Sequence, residues 1–336
     1  MSDLISIVVP VYNAQNYILQ CLQSIYLQTY SSYEVLIIND GSTDASTQII
    51  LDFIKDKPHF RLFTKLNEGV SVARNYGIER ALGSYLSFID ADDYVERHYL
   101  EKLFEPFKNN LELGLSCGGY YELSRYAKDG ISLHDFQAVL DENTIDVTLF
   151  YDYLFHGVTG VLWGKLFVAS IVRQHSILLH PEIKLSEDLV FVFEYVTHIR
   201  KIALVKSPLY YYNRLHENGL SGLITLQNIP DLEHVHDALL QVATINKLLF
   251  LEPVIRNRYN SGVLKIAQSI CTSKENSSGK KSKLKQLYTL SKSRLTRLEI
   301  RSLEQKIYWK LFVNRWFICL IVVTSVFQFL RRLKRS

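Results

Sequence analysis

Val35-Leu36-Ile37-Ile38-Asn39-Asp40-Gly41-Ser42-Thr43-Asp44 is an unbroken apolar run that gives way abruptly to a polar turn. The run lacks the apolar–polar alternation of a strand with one wet face, so it is expected to be a strand buried on both faces. Gly41 allows the tight turn that follows it. Upstream, Ile7-Val8-Val9 reads the same way and ends at Tyr12-Asn13; downstream, Tyr85-Leu86-Ser87-Phe88-Ile89 ends at Asp90-Ala91-Asp92-Asp93. Helical patterns at 17–26, 46–54 and 70–80 and a short strand at 61–64 lie between these runs. Alternating strand and helix predicts an α/β domain with a mostly parallel sheet sandwiched by helices. In open α/β sheets ligands bind at the carboxyl ends of the strands, so the three polar clusters are expected to face one crevice.

A chain of 336 residues is long enough for one large α/β domain and a smaller appendage without disulfides. Its four cysteines, Cys21, Cys117, Cys271 and Cys319, are far apart and form no C-x-x-C pair, so neither a disulfide framework nor a structural zinc site is suggested and a reducing setting is expected. The opening residues lack the basic region and apolar stretch of a signal peptide, so export of the catalytic part is not expected. The net charge of +4 hides a division: residues 1–255 carry 19 Lys/Arg against 31 Asp/Glu, and residues 256–336 carry 19 against 3. A tail this basic seeks a polyanion, either a lipid surface or nucleic acid.

The chemistry-bearing residues cluster. Asp90-x-Asp92-Asp93 crowds three carboxylates at a strand end, an arrangement that a hard divalent cation, Mg²⁺ or Mn²⁺, relieves. The same residues also fit an acidic turn capping a helix that begins near Tyr94. In the second cluster, the turn presents Asp40 to the crevice while Asp44 caps the helix that follows, and a plain turn plus cap fits equally. Asn67-Glu68-Gly69 leads to Ala73-Arg74-Asn75, where Arg74, one turn into a helix near the acids, could grip a diphosphate bidentately or make a surface salt bridge. Ser186-Glu187-Asp188 opens an apolar segment as a helix start, with acids favoured by the helix dipole.

Taken in order, Ile7 to Asn13, Asn39 to Asp44, Asn67 to Asn75 and Phe88 to Asp93 resemble the successive motifs of family 2 glycosyltransferases of the GT-A fold, of the bacterial capsular and exopolysaccharide type. The resemblance covers residues 4–105 and thins towards 225. It implies that Pro10, Tyr12, Asn13, Asp40, Arg74, Asp90, Ala91 and Asp92 hold the nucleotide of a UDP-sugar, with Tyr12 and Asp40 on the uracil. It implies further that Asp90 and Asp92 bind ribose and the metal, and that Asp188 is the catalytic base. Glu187 and Trp163, with Trp163-Gly164-Lys165-Leu166 and Tyr210-Tyr211-Tyr212-x-Arg214, are expected to line the acceptor and diphosphate sides. Metal on one side and base on the other implies an inverting transfer of a hexose or N-acetylhexosamine, by analogy with inverting glycosidases.

Residues 1–105 are thus read as the nucleotide-sugar-binding half, 106–225 as the acceptor-binding half of the same domain, and 226–336 as a helical basic extension. Within the extension, Asn276-Ser277-Ser278-Gly279-Lys280-Lys281 reads as a loop or hinge. Trp316–Leu330 is 15 mostly apolar residues between Arg315 and Arg331-Arg332-Leu333-Lys334-Arg335, short of the roughly 20 that a spanning helix needs. It is expected to lie in or dip into the cytoplasmic leaflet with Trp309 and Trp316 near anionic headgroups; a helix packed on the catalytic domain is the alternative. The acceptor is then expected to be a lipid-linked oligosaccharide. A non-catalytic sugar-nucleotide-binding scaffold is the competing reading, whereas a nucleic-acid partner is not expected, because only Tyr288 could stack a base between Lys274 and Arg301. A processive synthase is not expected either, since Phe312 stands where the Gln of Q-x-x-R-W would precede Arg315-Trp316.

Overall fold

The computed structural model describes residues 3–124, 130–134, 144–154, 158–215, 225–296 and 302–333. The chain divides into two compact units, Met1–Gly219 and Leu220–Ser336. The first runs β1 (Ile5–Val11), α1 (Ile18–Tyr26), β2 (Tyr33–Asn39), α2 (Ser46–Ile54), β3 (Phe60–Thr64), α3 (Val70–Arg80), β4 (Tyr85–Phe88), β5 (Tyr94–Val95) and α4 (Tyr99–Lys108). It continues through β6 (Leu113–Leu123), β7 (Ile131–His134), β8 (Thr144–Asp146), α5 (Val147–Leu154), β9 (Lys165–Val168), α6 (Ala169–Gln174), α7 (Glu187–Val196) and β10 (Lys201–Asn213).

The sheet order is β3-β2-β1-β4-β9-β6-β10-β5, with β7 beside β6 and β8 beside β10. β1 and β2 are buried along their whole length, as their uninterrupted apolar runs require. β1 pairs in parallel with β2 (Val8 opposite Leu36) and with β4 (Val8 opposite Phe88), and β2 pairs in parallel with β3. The β1–β4 ladder stops at Val8, so Pro10, which has no N–H to donate, stands where no β4 partner needs one. The mostly parallel expectation holds through β4, and beyond it the sheet is mixed. β9 enters antiparallel to both β4 and β6, and β10 then runs parallel to β6. Pro208 lies inside β10 where its register against β6 shifts, which is where a strand tolerates proline.

Helices cover both faces. One core joins β1 and β2 to α1 and α4 through Ile7, Val9, Ile37, Ile18, Leu22, Leu100 and Phe104. On the other face Phe167 meets Phe191 and Tyr195 of α7 edge-on at 5.8 and 5.0 Å. α3 approaches β1 closely enough that a Cβ on Gly77 would fall 2.5 Å from Val8 Cγ1. The helix anticipated near Tyr94 does not start there: Tyr94 and Val95 pair with β10, and α4 follows at Tyr99. The reason is tertiary, because this short strand closes the sheet edge beside β10.

The second unit is helical: α8 (Ile229–Ile245), α9 (Glu252–Thr272), α10 (Ser277–Ser291), α11 (Leu303–Val313) and α12 (Phe317–Leu333). Val263, Ile266, Ala267, Leu284, Leu287, Phe312 and Leu320 form its core. The stretch 276–281, read as a loop, is instead the start of α10. Asn276 caps it by accepting from the Gly279 N–H at 2.8 Å, so the polar residues supply a cap and a first turn rather than a break. Trp309, expected near headgroups, is buried in this core with Phe312. Among the described residues no helix is long and apolar enough to cross a membrane.

Candidate active site

The polar segments after β1 and β2 are tied together by hydrogen bonds between loops. Asn13 adopts a left-handed backbone (φ 49°), which asparagine tolerates, and its Oδ1 accepts the Thr43 N–H at 2.8 Å while its own N–H donates to Ser42 Oγ at 3.0 Å. Asp44 accepts from the Gln15 and Ser46 N–H groups at 3.0 and 2.9 Å, so it serves both the loop contact and the start of α2. Tyr12, just before the anchored Asn13, is 52% exposed. Pro10 is buried near the end of β1, and Ala91 is buried in the turn after β4.

Asp40 is buried rather than presented to the crevice. Its Oδ1 takes Lys65 Nζ at 2.7 Å and the Glu68 N–H at 3.0 Å, and its Oδ2 takes the Gly69 N–H at 2.8 Å. Its carboxylate therefore fastens the end of β2 to the segment leading into α3. That segment turns at Gly69 (φ 94°, ψ 164°), a conformation essentially confined to glycine.

Arg74 occupies the centre of the site. Only 4% exposed, it places Nη2 at 2.7 Å from Asp90 Oδ1, and Nη1 at 2.8 Å from Asp188 Oδ1 and 3.0 Å from Glu187 Oε1. Its Nε is buried without a partner among the described residues. Burial alone would lower the guanidinium's pKa, but Asp188, Asp90 and Glu187 together hold it above the ordinary value. The expectation of a bidentate grip on a diphosphate is thus corrected: both terminal nitrogens are committed to protein carboxylates, because a desolvated guanidinium is stable only when paired.

Glu187 and Asp188 open α7 behind Ser186, whose φ of 69° is uncommon for a residue with a side chain. Asp188, with a side chain 15% exposed, also accepts the Leu162 N–H on Oδ2 at 3.2 Å. Burial raises its pKa, with Arg74 opposing and Asp90 adding to the rise. Burial, and then the neighbouring Asp188, push Glu187 up to about 8 against the pull of Arg74. The pair therefore sits where carboxylates take protons more readily than at a surface.

The acidic turn after β4 divides its residues. Asp90 faces Arg74 and Asp92 is half-buried, whereas Asp93 turns inwards. Asp93 accepts from the Tyr210 O–H at 2.6 Å and the Asn213 N–H at 2.8 Å, and burial raises its pKa well above the usual carboxylate range. It anchors the turn to β10 and leaves two carboxylates, not three, at the opening. Trp163 is corrected likewise. Only 5% exposed, it stacks on Tyr210 (4.6 Å, 10°) and Tyr212 (5.2 Å, 28°) and meets Tyr120 edge-on, so it builds the wall behind the site instead of offering an acceptor face. Its continuous apolar surroundings draw it into the core.

Sequence reasoning missed the Leu162 N–H, a backbone group that no side-chain pattern advertises, and Lys65, whose role depends on Asp40. Lys165 was noticed only within its motif. It is buried, and burial pulls its ammonium below the ordinary value against Cys117 and Asp188.

The family model "Glycosyl transferase family 2" matches residues 6–141. The putative glycosyltransferase EpsH of Bacillus subtilis is 34% identical over 220 residues, 64% of this chain and 62% of that protein, so the match spans less than two thirds of the relative's length. Among solved structures, residues 1–349 of Staphylococcus aureus TarS superpose with a TM-score of 0.68 at 17% identity, covering 96% of this chain and 91% of that one. A complex of the same TarS segment with UDP-GlcNAc superposes with a TM-score of 0.64 at 16% identity and the same coverage. The mannosyltransferase PcManGT of Pyrobaculum calidifontis, solved with GDP-Man and Mn²⁺, gives 0.53 at 13% identity, covering 96% of this chain and 86% of that one. With motifs placed at the carboxyl ends of a GT-A-like sheet, residues 6–141 of the chain match the family model of glycosyl transferase family 2.

Proposed function

We propose that the protein transfers a hexose or N-acetylhexosamine from a UDP-sugar to a lipid-linked oligosaccharide at the cytoplasmic face of the membrane, with inversion, in cell-surface polysaccharide synthesis. One observation carries the reading. Arg74 bridges Asp90, at the end of a nucleotide-side strand, to Asp188, at the head of α7, so carboxylates 98 positions apart flank one guanidinium. The UDP-GlcNAc bound by TarS supports a uridine donor here.

In the transfer, the acceptor hydroxyl oxygen bonds to the anomeric carbon as that carbon's bond to the UDP β-phosphate oxygen breaks. The hydroxyl proton passes to Asp188. Burial makes Asp188 a stronger base than a surface aspartate. Arg74 and the Leu162 N–H fix its orientation. Tyr12 offers the exposed ring for the uracil, and Asn13 and Asp40 hold the two loops that frame it.

Asp92 and Asp90 would hold Mg²⁺ or Mn²⁺ together with diphosphate oxygens. Among the described residues no three or more His, Cys, Asp or Glu side chains gather to hold an ion alone. One or two carboxylates completed by phosphate oxygens is a usual Mg²⁺ arrangement, so the residues fit, and PcManGT with Mn²⁺ supports the choice of ion. A bound ion would neutralise charge developing on the departing diphosphate.

The test is UDP release from a panel of UDP-sugars, with and without Mn²⁺ or Mg²⁺, for the wild type, Asp92→Ala and Asp188→Ala. Metal-dependent release of one donor, lost in both variants, is expected. No release from any donor, even with membrane extract as acceptor source, would overturn the reading in favour of a non-catalytic sugar-nucleotide-binding subunit.

A further inference from the structure

α12 carries two apolar faces and buries only one of them. Phe317, Leu320, Ile321 and Thr324 point into the core of the second unit. Ile318, Val322, Val326 and Phe329 are 51–61% exposed, as is Trp316 just before the helix. At about 100° per residue these four positions fall within an arc of roughly 80°, and they extend along roughly 16 Å of the helix axis. An unpaired apolar stripe of this length signals a partner.

The charge around the stripe identifies the partner. From Gln305 to Ser336 the sequence has seven Lys/Arg and no Asp or Glu, with Arg315 before α12 and Arg331 and Arg332 in its last turn. Two copies meeting through this face would bring these cations together, an unfavourable juxtaposition. A helix that is apolar along one face and cationic at both ends matches the boundary of an anionic bilayer, where acyl chains take the stripe and headgroups take the charge.

We infer that the outer face of α12, formed by Ile318, Val322, Val326 and Phe329, is a docking surface for an anionic lipid bilayer on which the helix lies in the plane of the interface. The inference rests on the membrane location proposed above and gives it a defined set of residues, while vesicle binding tests it separately from UDP release. Trp309, in the core, takes no part; Trp316 does.

The full chain is to be sedimented with phosphatidylglycerol vesicles and, separately, with phosphatidylcholine vesicles. Binding to the anionic vesicles alone is expected, weakening with added salt. Trp316 is the one exposed indole, since Trp163 and Trp309 are buried, so a blue shift of emission on binding reports this site. Val322→Gln combined with Phe329→Gln is expected to reduce partitioning by at least roughly tenfold with an unchanged melting temperature. Should that variant fail to fold, Ile318→Asn makes the same comparison. Wild-type protein left in the supernatant with both vesicles would overturn the inference, as would a folded variant that binds like wild type. So would a wild-type dimer that the substitutions convert to monomer, which would assign the face to a second copy.

Discussion

Arg74 Nη1 lies 2.8 Å from Asp188 Oδ1, joining α3 to the first turn of α7 across 114 positions of the chain. The same guanidinium holds Glu187 and Asp90, so three acidic side chains from two distant segments share one buried cation. Without it, their mutual repulsion in a desolvated site would push the segments apart.

Arg74→Lys retains the charge but loses the planar fork that spans both segments. UDP release is expected to fall at least roughly a hundredfold, about what misplacing a catalytic group costs. Arg74→Ala, which strands the buried carboxylates, is expected to cost about 3–5 kcal/mol of stability. Denaturant unfolding and turnover measured on both variants check this; a lysine variant with wild-type turnover would remove the bridging role.

Burial and the neighbouring Asp188 push Glu187 up to about 8 from an ordinary value of 4.5, against the pull of Arg74. A raised folded-state pKa contributes stability that is fully present below the ordinary value and is lost as pH rises through about 8. Glu187→Gln, neutral throughout, is expected to flatten that dependence, so the wild type should lose ground to the variant as pH rises between those values. The scale is about 1.4 kcal/mol per pKa unit. Urea midpoints taken across the interval test it, and parallel curves for the two proteins would contradict the assignment.

Tyr210 donates to a buried aspartate, whereas Tyr211 donates to Glu96 Oε1, also at 2.6 Å, at a more open position. Tyr210→Phe is therefore expected to destabilise by about 1.5–3 kcal/mol, and Tyr211→Phe by less, because water can replace the second phenol. The order of the two unfolding free energies is the readout. Asp93, deprived of its phenol, should also loosen the turn that carries Asp90 and Asp92 and reduce turnover.

Gly77→Ala would place a methyl carbon 2.5 Å from Val8 Cγ1, between α3 and the central strand. Overpacking at a helix–sheet contact is expected to cost about 1–3 kcal/mol. Because α3 carries Arg74, a fall in turnover should accompany the drop in melting temperature.

The first hundred residues were legible because their signals are local. Parallel strands buried on both faces produce runs such as Val35 to Ile38, and the helices between them follow apolar spacing, so α2 and α3 begin and end where the sequence places them. β9 and β10 were not legible. The apolar stretch 158–171 fits a buried helix as well as a strand, and only pairing with β4 and β6 decides between them.

What the sequence by itself determined is the alternation of elements, the polar clusters that end the strands, and the separation of an acidic first part from a basic tail, since composition and periodicity are properties of neighbouring residues. Only the tertiary structure decided which carboxylates share a cation. It turned Asp93 and Asp40 inwards as anchors, committed Arg74 to Asp90, Glu187 and Asp188, and drew Trp163 into the core. It also divided the apolar run of α12 between a buried and an exposed face. These outcomes depend on burial and on pairing between segments far apart in the chain, because the cost of desolvating a charge is set by what surrounds it in space.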